Sequence, residues 1–265
     1  MSDDAAAPVF WHHGLVARWW TEFETDGPEI SYFQHLIARV GQPALDAGCG
    51  TGRLLLPALQ AGLDVDGADA APDMLAGCRE RAARLGVTPS LFEQPLHALD
   101  LPRRYGTIFV CGSLGIGGGR DLFERSIARL RAHLAPGGAL AVDKVAPPDA
   151  GGGWATWARR RRGGLPEDWP EAGDARRAAD GSTFELRSRL TTIDEAERVT
   201  TRELRVTVRD PSGRVVTEET HPLLHYIYFE DDLVAAFERA GLADVQVEEG
   251  YRQGDNPVRV VIGRG

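Results

Sequence analysis

Apolar and polar positions follow two different rhythms along this chain. Between Pro43 and Val145, short apolar runs alternate with longer segments whose apolar residues recur three and four apart. The runs Ala44-Leu45 before Asp46, Leu63 to Asp69, Leu91-Phe92-Glu93, Tyr105 to Cys111 and Ala139 to Val145 read as five strands. A helix is expected to begin after Gly52. A second covers Ala71 to Leu85, with Pro72 near its first position and Met74, Leu75, Cys78 and Ala82 as its apolar face. A third covers Asp121 to Leu134 and stops at Pro136-Gly137-Gly138. Strand and helix in alternation predict a parallel sheet covered by helices on both faces.

Beyond this stretch the period changes to two. Thr183 to Ile193 sets Phe184, Leu186, Ser188 and Leu190 against Glu185, Arg187 and Arg189, and Val199 to Val208 alternates in the same way. Asp194-Glu195-Ala196-Glu197 and Asp210-Pro211-Ser212-Gly213 read as turns, and Arg214 to Tyr228 as a third and a fourth strand. Such alternation means an antiparallel sheet with one wet side. Pro147 to Gly181 separates the two rhythms. It holds Gly151-Gly152-Gly153, the run Arg159 to Arg162 and Trp154, Trp157 and Trp169, and is expected to be a partly packed, mobile lid that orders when ligands bind. A final helix from Glu230 and two strands, Leu242 to Glu248 and Val258 to Ile262, would complete the first sheet. At the other end, Leu15 to Trp20 and Glu29 to Val40 read as helices in an unusually aromatic segment. Four regions follow: an N-terminal cap (1–40), a core (41–146), a lid with an antiparallel insertion (147–229), and a closing helix and strands (230–265).

The chemistry is concentrated where the first strand ends. Asp46 is followed by Gly48, Cys49, Gly50, Thr51, Gly52 and Arg53, and a second acid, Asp69, ends the next strand ahead of Ala70. A glycine turn between a strand and a helix N-terminus brings backbone N–H groups close to a ligand. An acid at the second strand's end can take hydrogen bonds from ribose hydroxyls. The spacing is GxGxG and not the dinucleotide GxGxxG, and Arg53 stands where a phosphate-binding loop would need lysine. These residues resemble the first motifs of class I S-adenosylmethionine-dependent methyltransferases, over residues 41–145 most specifically.

The resemblance implies a Rossmann-like sheet with S-adenosyl-L-methionine as cofactor and S-adenosyl-L-homocysteine as product. It implies cofactor contacts from Asp46, Gly48 to Arg53, Asp69, Ala70 and Met74, and from Gln94, Leu96, Cys111 and Gly112 at the later strand ends. Gln94 stands near where relatives often carry an adenine-binding Asp, so its amide would fill part of that role. The inserted sheet resembles the pocket roof of small-molecule methyltransferases, sugar-amine enzymes among them. Trp11, Trp20, Tyr32 and Trp154 are then candidate acceptor contacts. His221, Tyr226 and Tyr228 are candidate catalytic groups, with His221 as base; the strand period places His221 and Tyr226 on opposite faces. Packing is the competing account for each of these aromatic and histidine residues.

Composition narrows the acceptor. The chain has 265 residues, 43% hydrophobic and 26% charged, with a formal net charge of -9. That balance carries no electrostatic footprint for nucleic acid. The loop after the fourth strand, Gly112 to Gly119, lacks the Asn/Asp-Pro-Pro-aromatic motif of base and glutamine methyltransferases. No apolar run approaches the roughly 20 residues that span a bilayer, and a cytoplasmic protein without membrane partners is expected. Cys49, Cys78 and Cys111 have neither metal-like nor disulfide-like spacing, and no metal is expected. The expected reaction is methyl transfer to oxygen or nitrogen of a small metabolite, by a monomer or a homodimer. The rival readings are a non-catalytic S-adenosylmethionine-binding partner protein and a nicotinamide-dependent oxidoreductase.

Overall fold

The structure is a computed structural model describing residues 12–144 and 153–265. Trp11, the expected strand end at Val145 and the stretch 147–152 of the expected lid lie outside the described residues. The described strands are β1 (Ala44–Ala47), β2 (Val65–Asp69), β3 (Leu91–Glu93), β4 (Tyr105–Val110), β5 (Leu134–Lys144), β6 (Asp174–Arg177), β7 (Thr183–Asp194), β8 (Val199–Arg209), β9 (Val215–Tyr226), β10 (Ala243–Gln253) and β11 (Asn256–Arg264). The helices are α1 (Gly14–Phe23), α2 (Glu29–Val40), α3 (Leu55–Gln60), α4 (Pro72–Leu85), α5 (Arg120–Ala132), α6 (Gly153–Arg161) and α7 (Glu230–Arg239). They fall into two compact units: 12–114 with 122–144 and 228–265, and 115–121 with 153–227.

The first unit is built on a seven-stranded sheet in the order β10-β11-β5-β4-β1-β2-β3. β1 to β5 run parallel, while β11 is antiparallel to β5 and β10 to β11. β1 lies between β2 and β4, so the chain winds away from it in both directions. A crevice outside the carboxyl ends of the strands forms at such a switch point. Ala44, Leu45 and Ala47 of β1 are wholly buried, as expected for a strand covered on both faces. Phe33 of α2 stacks on Phe109 of β4 with ring centroids 4.9 Å apart. Burying a side chain of that size contributes roughly 3 kcal/mol. α4 starts with Pro72 and ends at Gly86, whose φ of +69° supplies the left-handed stop.

The second unit is a four-stranded sheet in the order β6-β7-β8-β9, antiparallel throughout. Phe184, Leu190, Leu204, Val206 and Val208 form its buried face. The opposite face is tied by Arg187–Glu185 and Arg189–Glu203 ion pairs, each at 2.7 Å. Trp169 lies on that charged face, between the guanidinium groups of Arg189 (4.6 Å from the ring centroid) and Arg205 (4.0 Å). The segment 115–117 joins this unit through an Ile116–His225 bridge and hydrogen bonds Gly117 N–H to Leu224 O and Tyr226 N–H to Gly115 O, both 2.8 Å.

Two elements differ from the expectation. The described part of the expected lid carries regular elements that were not expected there: α6 occupies 153–161 and β6 occupies 174–177. Trp154 and Ala158, one turn apart, are both buried, and the Trp154 indole N–H donates to Glu195 O at 2.9 Å. The arginine run therefore closes a helix, where cations complement the helix dipole. Residues 215–226 form one strand instead of two. Pro222 does not break it because β9 is the last strand of its sheet, where a missing N–H needs no ladder partner. Among the described residues, no helix is long and apolar enough to cross a membrane.

Candidate active site

The glycine turn is shaped by backbone that other residues resist. Gly48, Gly50 and Gly52 have φ of +83°, +52° and +82°. A Cβ at Gly48 would collide with Ser113, and one at Gly52 with Cys78 and Leu56 at 2.7 and 2.8 Å. The N–H groups of Gly48 and Cys49 both donate to Ala68 O, at 2.7 and 3.0 Å, which ties the turn to β2. From behind, the Arg81 guanidinium donates to Thr51 O at 2.8 Å, and the Thr51 hydroxyl donates to Trp20 O at 3.4 Å. Arg53 pairs with Glu29 at the start of α2.

Two acids face this turn. Asp69 accepts the Gly50 N–H on one oxygen (2.9 Å) and the Ala71 N–H on the other (2.8 Å). Burial raises its pKa, and those N–H groups partly offset the rise. Asp46 is 2% exposed, and its pKa is pushed up to about 8 by burial and then by the charge of Asp69. Cys49 is buried and its thiol is held far above its ordinary pKa, so it packs and does not act as a nucleophile. Met74 is buried, with its Cε 3.0 Å from where a Gly50 Cβ would stand. Ala70 and Leu96 are half-buried along the β2 and β3 ends. The Gln94 side chain is committed to its own loop, accepting the Asp100 N–H at 2.7 Å and donating to Asp100 O at 3.2 Å.

At the end of β4 a further cluster forms around Asp143. Its Oδ1 accepts the Gly112 N–H at 2.7 Å; its Oδ2 accepts the Tyr251 hydroxyl at 2.7 Å and the Cys111 thiol at 3.3 Å. Burial, then the charge of Asp143, holds Cys111 well above its ordinary pKa. Tyr228 lies in the same unit, buried, with its ring 4.7 Å from Phe123. Burial and then the Asp143 charge raise its pKa as well.

The remaining candidates are dispersed. Tyr32 donates its hydroxyl to Glu248 at 2.5 Å, beside an Arg39–Glu248 ion pair. Trp20 is half-buried at the end of α1. His221 and Tyr226 belong to the antiparallel-sheet unit, as does Trp154. His221 is paired with Glu219 through Nε2 at 3.0 Å, and Tyr226 is buried beneath the Arg120 guanidinium, 6.0 Å from its ring centroid. Asp143, Tyr251 and Arg81 were missed from sequence. Asp143 carried the same signal that marked Asp46 and Asp69, an acid at the end of an apolar strand; Tyr251 and Arg81 carried none.

The donor set fits S-adenosylmethionine. A turn without side chains admits close approach, and Asp69 retains acceptor capacity for ribose hydroxyls beyond its two backbone bonds. Asp46, raised by burial, suits a ligand that brings an ammonium group.

Comparison with known proteins agrees. Residues 44–138 match a family described as a methyltransferase domain. The ribosomal protein L11 methyltransferase of Azotobacter vinelandii is 34% identical over 113 residues, 42% of this chain. The chain spans about a third of that relative's length, 36%. Among solved structures, the S-adenosylmethionine-bound amino pentose methyltransferase CalS10 of Micromonospora echinaspora is 26% identical with a TM-score of 0.63, covering 89% of this chain and 90% of its own. The sugar N-methyltransferase KedS8 of Streptoalloteichus has the same fold, with a TM-score of 0.68 at 19% identity over 100% of this chain and 96% of its own. DesVI of Streptomyces venezuelae has it too, with a TM-score of 0.67 at 22% identity and 89% of each chain covered. The fold is that of class I S-adenosylmethionine-dependent methyltransferases. The chain carries a methyltransferase domain of this class, with S-adenosylmethionine as its cofactor.

Proposed function

We propose that this protein transfers a methyl group from S-adenosylmethionine to the amino nitrogen of a sugar or a similar small metabolite. The observation that carries the reading is the antiparallel-sheet unit. The likeness to the amino pentose methyltransferase extends over 89% of the chain, whereas the likeness to the L11 methyltransferase stops at 42%. What lies outside the shared cofactor-binding part thus sides with a small-molecule acceptor. The cofactor supplies an electrophilic methyl on sulfur, and the protein has to hold the acceptor in line with it. Positioning of this kind can supply much of the rate enhancement. Asp69 would hold the ribose and Asp46 the ammonium group, while the glycine turn provides backbone N–H groups and space. His221, paired with Glu219, is the candidate base in the antiparallel-sheet unit. A neutral amine needs no base before attack, so His221→Ala should cost most where the acceptor is protonated.

The test offers D-glucosamine, catechol and a lysine-containing peptide, each with labelled S-adenosylmethionine. Label on the glucosamine nitrogen supports the proposal. Label on catechol or on the peptide alone overturns it.

A further inference from the structure

The Asp143 cluster lies outside the motifs that define the cofactor turn, yet it sits beside them. Asp143 ends β5, Cys111 and Gly112 follow β4, and Tyr251 belongs to β10, so three strands of one sheet meet at a single carboxylate. Asp143 is 5% exposed while Gly112, which it holds, is exposed. Gly112 has a φ of +71°, a turn that side-chain-bearing residues adopt reluctantly. The next residue, Ser113, donates its hydroxyl to Ala47 O at 3.3 Å, against Gly48 of the glycine turn. Asp143 therefore governs the turn that adjoins the cofactor loop.

Tyr251 gives the cluster its chemical sense. Its proton is committed to Asp143, so toward any further partner its oxygen can only accept; the Cys111 sulfur lies 3.6 Å from it. Burial and the neighbouring Asp143 charge raise its pKa, which keeps the phenol neutral. A neutral phenol whose own proton is engaged reads a hydrogen-bond donor: the N–H of an amine, in preference to an ether or a carbonyl.

We propose that Asp143 and Tyr251 form an acceptor-side pair, Asp143 as a positioning residue acting through Gly112 and Tyr251, and Tyr251 as the group that takes a hydrogen bond from the acceptor N–H. Directing that N–H toward Tyr251 leaves the nitrogen lone pair free for the methyl group. This rests on the proposed transfer to nitrogen, but its structural half stands by itself.

Two measurements test it. In amide hydrogen exchange on the S-adenosylhomocysteine complex, Asp143→Asn should speed exchange at Gly112 about tenfold or more, because losing one charge-assisted hydrogen bond is worth about that factor. Tyr251→Phe should leave Gly112 unchanged. Equal Gly112 exchange in wild type and Asp143→Asn overturns the positioning role, whatever the acceptor proves to be. In steady-state assays with whichever of D-glucosamine, catechol and the lysine peptide the wild type methylates, Tyr251→Phe should lower kcat about tenfold or more while S-adenosylhomocysteine affinity stays within about twofold. The double variant should fall no further than Asp143→Asn alone. A Tyr251→Phe enzyme with wild-type kcat overturns the acceptor contact; failure of glucosamine alone, with the pair's effects intact on another acceptor, counts against the sugar reading instead.

Discussion

The two units solve the burial problem differently, and the difference decides how each exposes its chemistry. The inner parallel strands are buried on both faces, and Asp46, Asp69 and Asp143 stand near their ends, where they meet tight turns. The antiparallel sheet has one polar face along its whole length, and its charges are spent largely on each other, as in Arg187–Glu185 and Arg189–Glu203. In the first unit, a charged residue in an apolar context is therefore informative. In the second, it is ordinary.

The antiparallel-sheet unit depends first on its packed core. Phe184 is wholly buried in the antiparallel-sheet unit, and Phe184→Ala should cost about 3–5 kcal/mol in denaturant unfolding. A loss below about 1 kcal/mol would show that this sheet lacks the packed core assigned to it. Cofactor binding comes next. Asp69→Ala removes the acceptor of the Gly50 and Ala71 N–H groups and the candidate ribose ligand together. S-adenosylhomocysteine affinity should fall by more than about tenfold, at least about 1.4 kcal/mol, with an unchanged circular dichroism spectrum. Gly50→Val should do likewise, since φ is +52° and Met74 Cε closes the space; normal calorimetric binding by this variant would put the cofactor elsewhere.

Asp46 gives the parallel-sheet unit a pH dependence of its own. Its folded-state pKa of about 8 exceeds its unfolded value near 4, so between these limits the native state holds the extra proton. Its contribution favours folding on the acid side, and apo-protein stability should decline as pH rises from about 4 through about 8. Asp46→Asn should flatten that decline. An ammonium-bearing ligand favours the ionised carboxylate, so binding at pH 7 should release a proton. The calorimetric enthalpy would then differ between phosphate and Tris buffers, and identical values would remove Asp46 from the ammonium site. The smallest effect is expected at Trp169. Trp169→Ala should cost about 1 kcal/mol, as a half-buried cation–π contact does, and should leave S-adenosylhomocysteine binding untouched.

The same contrast explains what could be read in advance. Strand, glycine turn and acid recur at fixed spacing in 43–69, because close approach of backbone to a ligand admits few alternatives; the parallel core was legible for that reason. Asp143 was within reach of the same logic, but it meets its partner Tyr251 across the sheet, more than a hundred positions along the chain. Such a contact leaves no local pattern. α6 was hidden by the glycines around its start and by its arginines, whose composition resembles a loop until Trp154 and Ala158 are seen to be buried one turn apart. The attachment of 115–117 to β9 was invisible for another reason: it rests on backbone hydrogen bonds, which any residues could make.

The proposed roles of Asp69 toward the cofactor and of His221 toward the acceptor separate most cleanly when the two are changed one at a time. The direct test is calorimetric titration of S-adenosylhomocysteine into Asp69→Ala and His221→Ala, with methyl transfer measured on the same preparations. Asp69→Ala should lose affinity by more than about tenfold, while His221→Ala should bind as wild type and lose turnover. Equal loss of affinity in both variants, or full turnover by His221→Ala from pH 6 to 9, would contradict it.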